Sequence, residues 1–235
     1  MKTKCPMRIE PYFECPAPGQ GGARVWRVNL NVATDELGRA YDLLAHDEKA
    51  RASRFAFAVH RRRFVAARAA LRELLGMQLH LDARDLVFRY TAQGKPELAN
   101  HPDLQFSVSH SADLCLIAVA RGVRVGIDIE AATENQAQMQ EVTRSFHPAE
   151  REALHSMDPA SKERAFYRCW VRKEAFLKAL GVGLGGGLKR FHVSVGDQAQ
   201  LLGCDPALAT ATDWTLVALD GEGYAAAMAI DYPSE

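Results

Sequence analysis

The sequence contains no run of about 18 or more apolar residues, the length that a membrane-spanning helix needs. Its most apolar stretch, from Leu114 to Ala120, is typical of a buried strand. The N-terminal stretch starts with positive charge but lacks the apolar core of a signal peptide. We therefore expect a soluble, cytoplasmic protein without a membrane partner, whose first 22 residues or so are irregular.

An excess of charge of one sign is also missing, because 29 Lys and Arg residues balance 29 Asp and Glu residues. Proteins that bind bulk nucleic acid are usually strongly basic, so we expect no nucleic-acid partner. The five cysteines form no C-x-x-C pair and are odd in number, which favours a reduced, intracellular setting. The 235 residues, 48% of them hydrophobic, suffice for one large domain or two small lobes.

The two halves of the chain show a faint internal repeat. Each half offers a strand, a segment that opens on a histidine, a long amphipathic helix and further strands, and the two histidines, His46 and His147, are 101 residues apart. The repeat predicts an α/β (α+β) fold of two similar lobes related by pseudo-twofold symmetry. We expect residues 1–121 in the N-terminal lobe and residues 122–235 in the C-terminal lobe. Because both lobes lie in one chain, we expect a monomer.

The long helices are predicted over residues 60–76 and 163–180, where an apolar stripe ends at a glycine. Gly76 and Gly181 are the predicted C-terminal caps of these two helices. Residues 131–145 are polar and poor in aromatic residues. Their pattern fits either a weakly amphipathic helix or a mobile connection.

Residues Val123 to Glu130 alternate between apolar and other side chains, as in a half-buried strand. Side chains alternate across a strand, so Asp128 and Glu130 are expected on the same face, with Cα atoms about 6–7 Å apart. Two carboxylates this close repel each other unless a cation lies between them, and an all-oxygen ligand set favours Mg²⁺ over zinc. The alternative from this pattern alone is a strand edge with two solvated acids.

Glu174 and Lys178 are four residues apart on the second long helix, so they are neighbours at the edge of its apolar stripe. The common meaning of this spacing is an ordinary salt bridge between the two side chains. The spacing alone does not decide between that salt bridge and a functional pair.

Three further stretches carry groups that could contact a phosphate. The stretch Phe-Ser-Val-Ser-His-Ser is predicted to be a strand that runs into a turn, where Ser109 and His110 could donate to phosphate oxygens, or where serines simply cap the turn. Lys95 lies in a Gly-Lys-Pro turn that lacks the frame of a phosphate-binding P-loop. The basic residues between 49 and 72, Arg63 among them, predict either a solvated face or a grip on a polyanionic small molecule.

Taken together, these stretches resemble the 4′-phosphopantetheinyl transferases of the surfactin-synthetase-activating (Sfp-like) type. The resemblance covers about residues 45–195, with four motifs in the family's order and approximate spacing: Gly94-Lys95-Pro96, Phe106 to Ser111, Gly126 to Glu130 and Trp170 to Lys178. The joint match is specific, whereas one motif alone would only be suggestive. The resemblance implies the two-lobed fold of that family, in agreement with the internal repeat.

The resemblance also implies an activity, which is Mg²⁺-dependent transfer of the phosphopantetheine arm of coenzyme A to a serine of an acyl or peptidyl carrier protein, with release of adenosine 3′,5′-bisphosphate. It implies that Asp128, Glu130 and Glu174 hold the Mg²⁺ in the C-terminal lobe. Glu174 would take the serine proton, and Lys178 would steady the phosphoryl charge. The implied coenzyme A contacts are Arg63, Lys95, Ser109 and His110. Adjacent arginines leave the register of Arg63 open.

Residues 181–188 contain five glycines and are predicted to form a flexible loop. The sequence departs from the family here, because residues 181–187 contain no serine. Two other classes of function remain open at this point. One is a non-catalytic nucleotide- or RNA-binding module that uses the arginine-rich segment. The other is a Mg²⁺-dependent phosphohydrolase that uses the same acids with water as the nucleophile.

Overall fold

A computed structural model describes residues 8–15, 22–132, 136–183, 185 and 187–231. The strands are β1 (Ile9–Cys15), β2 (Ala23–Asn29), β3 (Phe88–Tyr90), β4 (Pro96–Leu98), β5 (Leu104–Ser111), β6 (Leu114–Arg121), β7 (Val125–Ala131), β8 (Phe191–Val193), β9 (Leu201–Cys204), β10 (Trp214–Ala218) and β11 (Tyr224–Asp231). The helices are α1 (Thr34–Asp42), α2 (His46–Ala52), α3 (Ala58–Leu79), α4 (Gln136–Thr143), α5 (Pro148–His155) and α6 (Pro159–Leu180). Within the described part of the chain, every helix is too short or too polar to span a membrane.

The order of elements in residues 23–121 is repeated in residues 125–231. In both halves a strand is followed by two short helices, a helix of 22 residues, a short hairpin and a longer hairpin. The first strand of each half pairs with the last one, which gives the sheets β1-β2-β6-β5 and β10-β11-β7. The predicted α/β fold of two similar halves is therefore confirmed, with β1 as an addition to the first sheet.

Strand β1 corrects the expectation of an irregular N-terminus. It pairs antiparallel with β2, and the hydroxyl of Tyr12 lies 2.9 Å from the hydroxyl of Tyr224 in the C-terminal half. Pro11 and the β-bulge beside it interrupt the alternation of side chains, so the sequence pattern does not reveal this strand. The rest of the predicted irregular stretch, apart from residues 8 and 22, lies outside the described residues.

The long helices begin and end through local signals. Helix α6 starts at Pro159 after Asp158, whose side chain accepts from the Ser161 amide, and it ends as predicted at Gly181, with φ of 74°. Helix α3 continues past Gly76 to Leu79, so Gly76 is not the predicted cap.

The left-handed residue that ends α3 is His80, with φ of 56°. Gly76 instead lets the chain fold back, because a Cβ there would lie 2.9 Å from the carbonyl oxygen of Leu81. Of the two interpretations left open for residues 131–145, a helix forms over residues 136–143, and residues 133–135 lie outside the described residues. The predicted loop over residues 181–188 also includes two residues outside the described ones.

Each half contains a buried ion pair that ties a short helix to the long one. Glu48 of α2 accepts from Arg72 of α3 at 2.6 Å, and Glu150 of α5 accepts from Lys173 of α6 at 2.7 Å. Both glutamates also accept from the backbone amide that precedes their helix. Arg68 contacts Glu48 as well, so part of the predicted basic face is neutralised inside the protein instead of lying in solvent.

Apolar side chains form three clusters. One lies between α3 and the first sheet, one between α6 and the second sheet, and the third between the two sheets. The third cluster includes Val25, Leu116, Ile127 and Met228. Beside it, β5 of the first sheet contacts β7 of the second, and we call this contact the seam.

Helix α6 lies directly against β7 at Gly126. A Cβ at this position would lie 2.0 Å from the carbonyl oxygen of Ala175 and 2.4 Å from the amide nitrogen of Ala179. Protein interiors do not accommodate such an overlap with backbone atoms, so the contact requires glycine. It brings α6 against the strand that carries the acids.

Replacing Gly126 by alanine should lower the free energy of unfolding by about 3 kcal/mol or more, because helix backbone occupies the space of the new methyl group. The matched control is Gly38→Ala at an exposed position of α1, where no atom lies within 4 Å of the added Cβ. This control should raise the free energy of unfolding by about 0.5–1 kcal/mol. Urea unfolding followed by circular dichroism measures both. Equal stability of the two variants would contradict the close contact.

Candidate active site

Three carboxylates gather where β7 meets α6. Asp128 and Glu130 come from alternate positions of β7, and Glu174 comes from the facing helix. They are close enough that the charges of Asp128 and Glu130 both raise the pKa of Glu174. Asp128 is only 4% exposed, so the alternative of two solvated acids at a strand edge is wrong.

The carboxyl group of Glu174 has the most unusual surroundings of the three. Burial, and after it the charge of Asp128, raises its pKa to about 7, while the charge of Lys178 opposes the shift. Burial and the Asp128 charge also raise the pKa of Glu130. Asp128 Oδ2 and Glu174 Oε1 are buried without a hydrogen-bond partner. Because buried carboxylate oxygens normally have partners, these two atoms are suited to bind a cation.

The donor set fits a hard divalent cation, since it consists of carboxylate oxygens alone. Within the described residues, however, no three His, Cys, Asp or Glu side chains lie close enough together to form a metal site as they stand. Asp128, Glu130 and Glu174 are the side chains that would hold such a cation.

The ammonium group of Lys178 contacts residues of β7 and β5 instead of Glu174 on its own helix. Its Nζ donates to Asp128 Oδ1 at 2.6 Å and to Ser109 Oγ at 2.9 Å. The hydroxyl of Ser109 donates in turn to Asp128 Oδ1 at 2.7 Å. The simple salt bridge between Glu174 and Lys178 is therefore not formed, and the hydroxyl of Ser109 is directed at the acids.

A row of serines on β5 holds β7 in register. The hydroxyl of Ser107 accepts from the Ile127 amide at 3.1 Å, and that of Ser111 accepts from the Ala131 amide at 3.0 Å. Ser111 Oγ also donates to Glu130 Oε2 at 3.1 Å. These serines lie in the strand, not in the predicted turn, which follows with Ala112 at a φ of 49°.

The sequence interpretation missed Ser107 and Ser111, although their spacing of two residues from Ser109 is a signal for one strand face.

Positive charges surround His110, the residue between two of these serines. Burial lowers the pKa of His110, and the charges of Lys178, Arg63 and His60 lower it further. Arg63 Nε donates to Asp113 Oδ1 at 2.8 Å. The structure thus places Arg63 near His110, and it adds His60 and Asp113, which the sequence interpretation did not include.

A cavity of about 240 Å³ joins Lys95 to this cluster. Its lining includes Gly94, Lys95, Pro96, Phe106, Lys178 and Gly181. Lys95 Nζ donates to the carbonyl oxygen of Ala179 at 3.2 Å, and burial lowers the pKa of Lys95. All eight predicted site residues therefore lie in one connected region at the seam. A larger cavity of about 610 Å³, lined by α4, α5 and α6, contains none of the eight.

Two family models match this chain. One, described as the 4′-phosphopantetheinyl transferase superfamily, matches residues 124–229, and the other, described as 4′-phosphopantetheinyl transferase, N-terminal, matches residues 30–121. The chain is 37% identical over 199 residues to 4′-phosphopantetheinyl transferase HetI of Nostoc sp., which covers 83% of this chain and 81% of the relative.

Two more distant relatives show the range of the similarity. The human L-aminoadipate-semialdehyde dehydrogenase-phosphopantetheinyl transferase is 34% identical over 194 residues, 76% of this chain and 62% of its own length. The 4′-phosphopantetheinyl transferase psf-1 of Bacillus pumilus is 29% identical over 168 residues, 72% of this chain and 71% of its own length. The chain thus spans less than two thirds of the human relative.

The raised pKa of Glu174 predicts a pH-dependent stability in the presence of a chelator. Between pH 4.5 and about 7 the folded protein retains a proton that the unfolded chain releases, so stability falls as the pH rises through this window. Glu174→Gln should reduce this slope to the smaller part that comes from the raised pKa of Glu130, and it should raise the melting temperature at pH 8 by about 2–4 °C.

The matched control is Asp128→Asn, which should lower the melting temperature because it removes the charge that pairs with Lys178. Differential scanning calorimetry from pH 4.5 to 8 measures both variants. Shifts of the same sign at pH 8 would contradict the different surroundings of the two acids.

Proposed function

We propose that this chain, which belongs to the 4′-phosphopantetheinyl transferase superfamily, moves the phosphopantetheine arm of coenzyme A to a serine hydroxyl of an acyl or peptidyl carrier protein. The observation that carries the proposal is the meeting of three carboxylates with Lys178 beside the cavity that Lys95 lines. In this proposal the three carboxylates bind a metal ion, and the neighbouring cations bind the phosphates of the donor.

The proposed reaction is a displacement at phosphorus. The serine oxygen forms a bond to the phosphorus that bears the pantetheine arm. The bond from this phosphorus to the oxygen that bridges the two phosphates breaks, and adenosine 3′,5′-bisphosphate leaves. The serine proton passes to Glu174, directly or through water. A carboxylate with a raised pKa and an unpartnered oxygen is suited to accept a proton near neutral pH.

We propose Mg²⁺ as the metal, held by Asp128, Glu130 and Glu174. Three features support this choice: the oxygen-only donor set, the two buried carboxylate oxygens without partners and the mutual repulsion of the acids. When bound, Mg²⁺ would neutralise charge on the pyrophosphate. Lys178, which already contacts Asp128 and Ser109, would steady the phosphoryl group during transfer.

The polar groups around the cavity are the proposed contacts of coenzyme A. Lys95 lines the cavity, and Arg63 and His110 lie on the side of Lys178. Ser109 would contribute its hydroxyl next to Lys178, and His110 a ring N–H. The cations Arg63, Lys95 and Lys178 attract a ligand that carries several phosphates.

The test is the intact mass of an apo carrier protein after incubation with the enzyme, coenzyme A and Mg²⁺. We expect a mass gain of one phosphopantetheine group, which a chelator abolishes. Release of adenosine 3′,5′-bisphosphate at the same rate without any carrier protein would instead support a phosphohydrolase. Absence of coenzyme A binding by calorimetry would contradict the proposal.

Lys178→Met should lower the rate of carrier modification by about 10²–10³-fold, because it removes the cation nearest the acids. Lys189→Met, at an exposed position after α6, is the control and should keep the rate of the unaltered enzyme. Time courses of holo-carrier formation by mass spectrometry give both rates. Equal rates for the two variants would show that Lys178 does not act on the transferred group.

A further inference from the structure

We propose that Ser111 is a positioning residue that orients the carboxylate of Glu130 toward the metal. The inference rests on the proposed function, since it presupposes that Glu130 binds the cation. It starts from the hydrogen bond between Ser111 and Glu130, because this carboxylate, unlike that of Asp128, accepts no hydrogen bond from Lys178.

The three serines on β5 face the same strand but have different partners. Ser107 accepts from a backbone amide of β7, which is a structural contact. Ser109 donates to Asp128, and Lys178 donates to both of them. Ser111 combines the two roles, because it accepts from the Ala131 amide and donates to Glu130.

The chemistry of the donor matters for a metal ligand. Lys178 holds Asp128 with a full positive charge, which opposes a cation nearby. A serine hydroxyl holds a carboxylate without adding charge, so the negative charge of Glu130 stays available for the cation. The indole of Trp170 on α6, a second uncharged donor group, lies close enough to Glu130 to oppose the rise of its pKa. Uncharged groups from β5 and from α6 therefore adjoin this carboxylate, and the one from β5 holds it by a hydrogen bond.

The hydrogen bond from Ser111 acts against an electrostatic repulsion between two carboxylates. Glu130 is repelled by Asp128 from two positions earlier on the same strand, and its side chain is only half-buried. Without a donor on Oε2, the carboxylate can turn away from Asp128 into solvent. The bond from Ser111 prevents this rotation, and because it crosses the seam, the acid of the C-terminal half depends on a strand of the N-terminal half.

The test measures binding of Mn²⁺, detected by electron paramagnetic resonance of the free ion, with and without saturating coenzyme A. Ser111→Ala should weaken Mn²⁺ binding by about 10-fold or more, the usual effect of removing a group that orients a metal ligand. Ser111→Thr keeps the hydroxyl and should restore affinity to within about 3-fold of the unaltered protein.

Ser107→Ala is the matched control. It leaves a β7 amide without its acceptor, as Ser111→Ala does, but it touches no carboxylate. We expect both alanine variants to lower the melting temperature by similar amounts, while Ser107→Ala leaves the Mn²⁺ affinity unchanged.

Each other outcome has a distinct meaning. If the unaltered protein binds Mn²⁺ and Ser111→Ala binds it equally well, the positioning role is wrong while the proposed function stands. If Ser107→Ala weakens Mn²⁺ binding as much as Ser111→Ala, the effect belongs to the seam as a whole and the positioning role is again wrong. If the unaltered protein binds no Mn²⁺ in either condition, the proposed metal site fails, and this inference fails with it.

Discussion

Helix α6 and strand β7 touch at Gly126 more closely than any side chain would allow, and the charged site depends on this contact. The helix backbone at Ala175 and Ala179 occupies the place of a Cβ atom. Glu174 and Lys178 each precede one of these contact residues, so the same approach that packs the helix delivers a carboxylate and an ammonium group to the acids of β7. The close approach of the α6 backbone to Gly126 therefore determines both the packing of the helix and the position of its charged groups.

The second organising feature is that the site belongs to both halves of a repeated fold. The contacts that cross between the halves at the site include Lys178 to Ser109, Ser111 to Glu130 and Lys95 to the carbonyl of Ala179. Neither half alone contains the cations, hydroxyls and carboxylates that meet at the seam. The repeat places two similar sheets side by side and thus creates a site at the seam, where each half contributes different groups.

Two adjacent residues of α6, Lys173 and Glu174, have different roles because successive side chains point in different directions around a helix. Lys173 points into the core, where it donates to Glu150 and to the carbonyl of Phe191. The next residue, Glu174, lies about 100° further around the helix and faces Asp128. The corresponding pair in the first half, Glu48 with Arg72, has the same structural task. The charged pair that stabilises each half is therefore distinct from the charges of the site.

Local pattern alone determined the features that depend on local geometry. Periodicity predicted α6 and its end at Gly181, and alternation predicted that Asp128 and Glu130 share a face of β7. The sequence pattern did not reveal β1, whose alternation is broken at Pro11, or the end of α3 at His80. Lys178 pairs with Asp128, 50 residues earlier, although Glu174 is its neighbour on the helix. Only the tertiary structure decided that pairing and the serine contacts across the seam, because both arise from strands and helices that chain folding brings together, and no short-range spacing encodes such contacts.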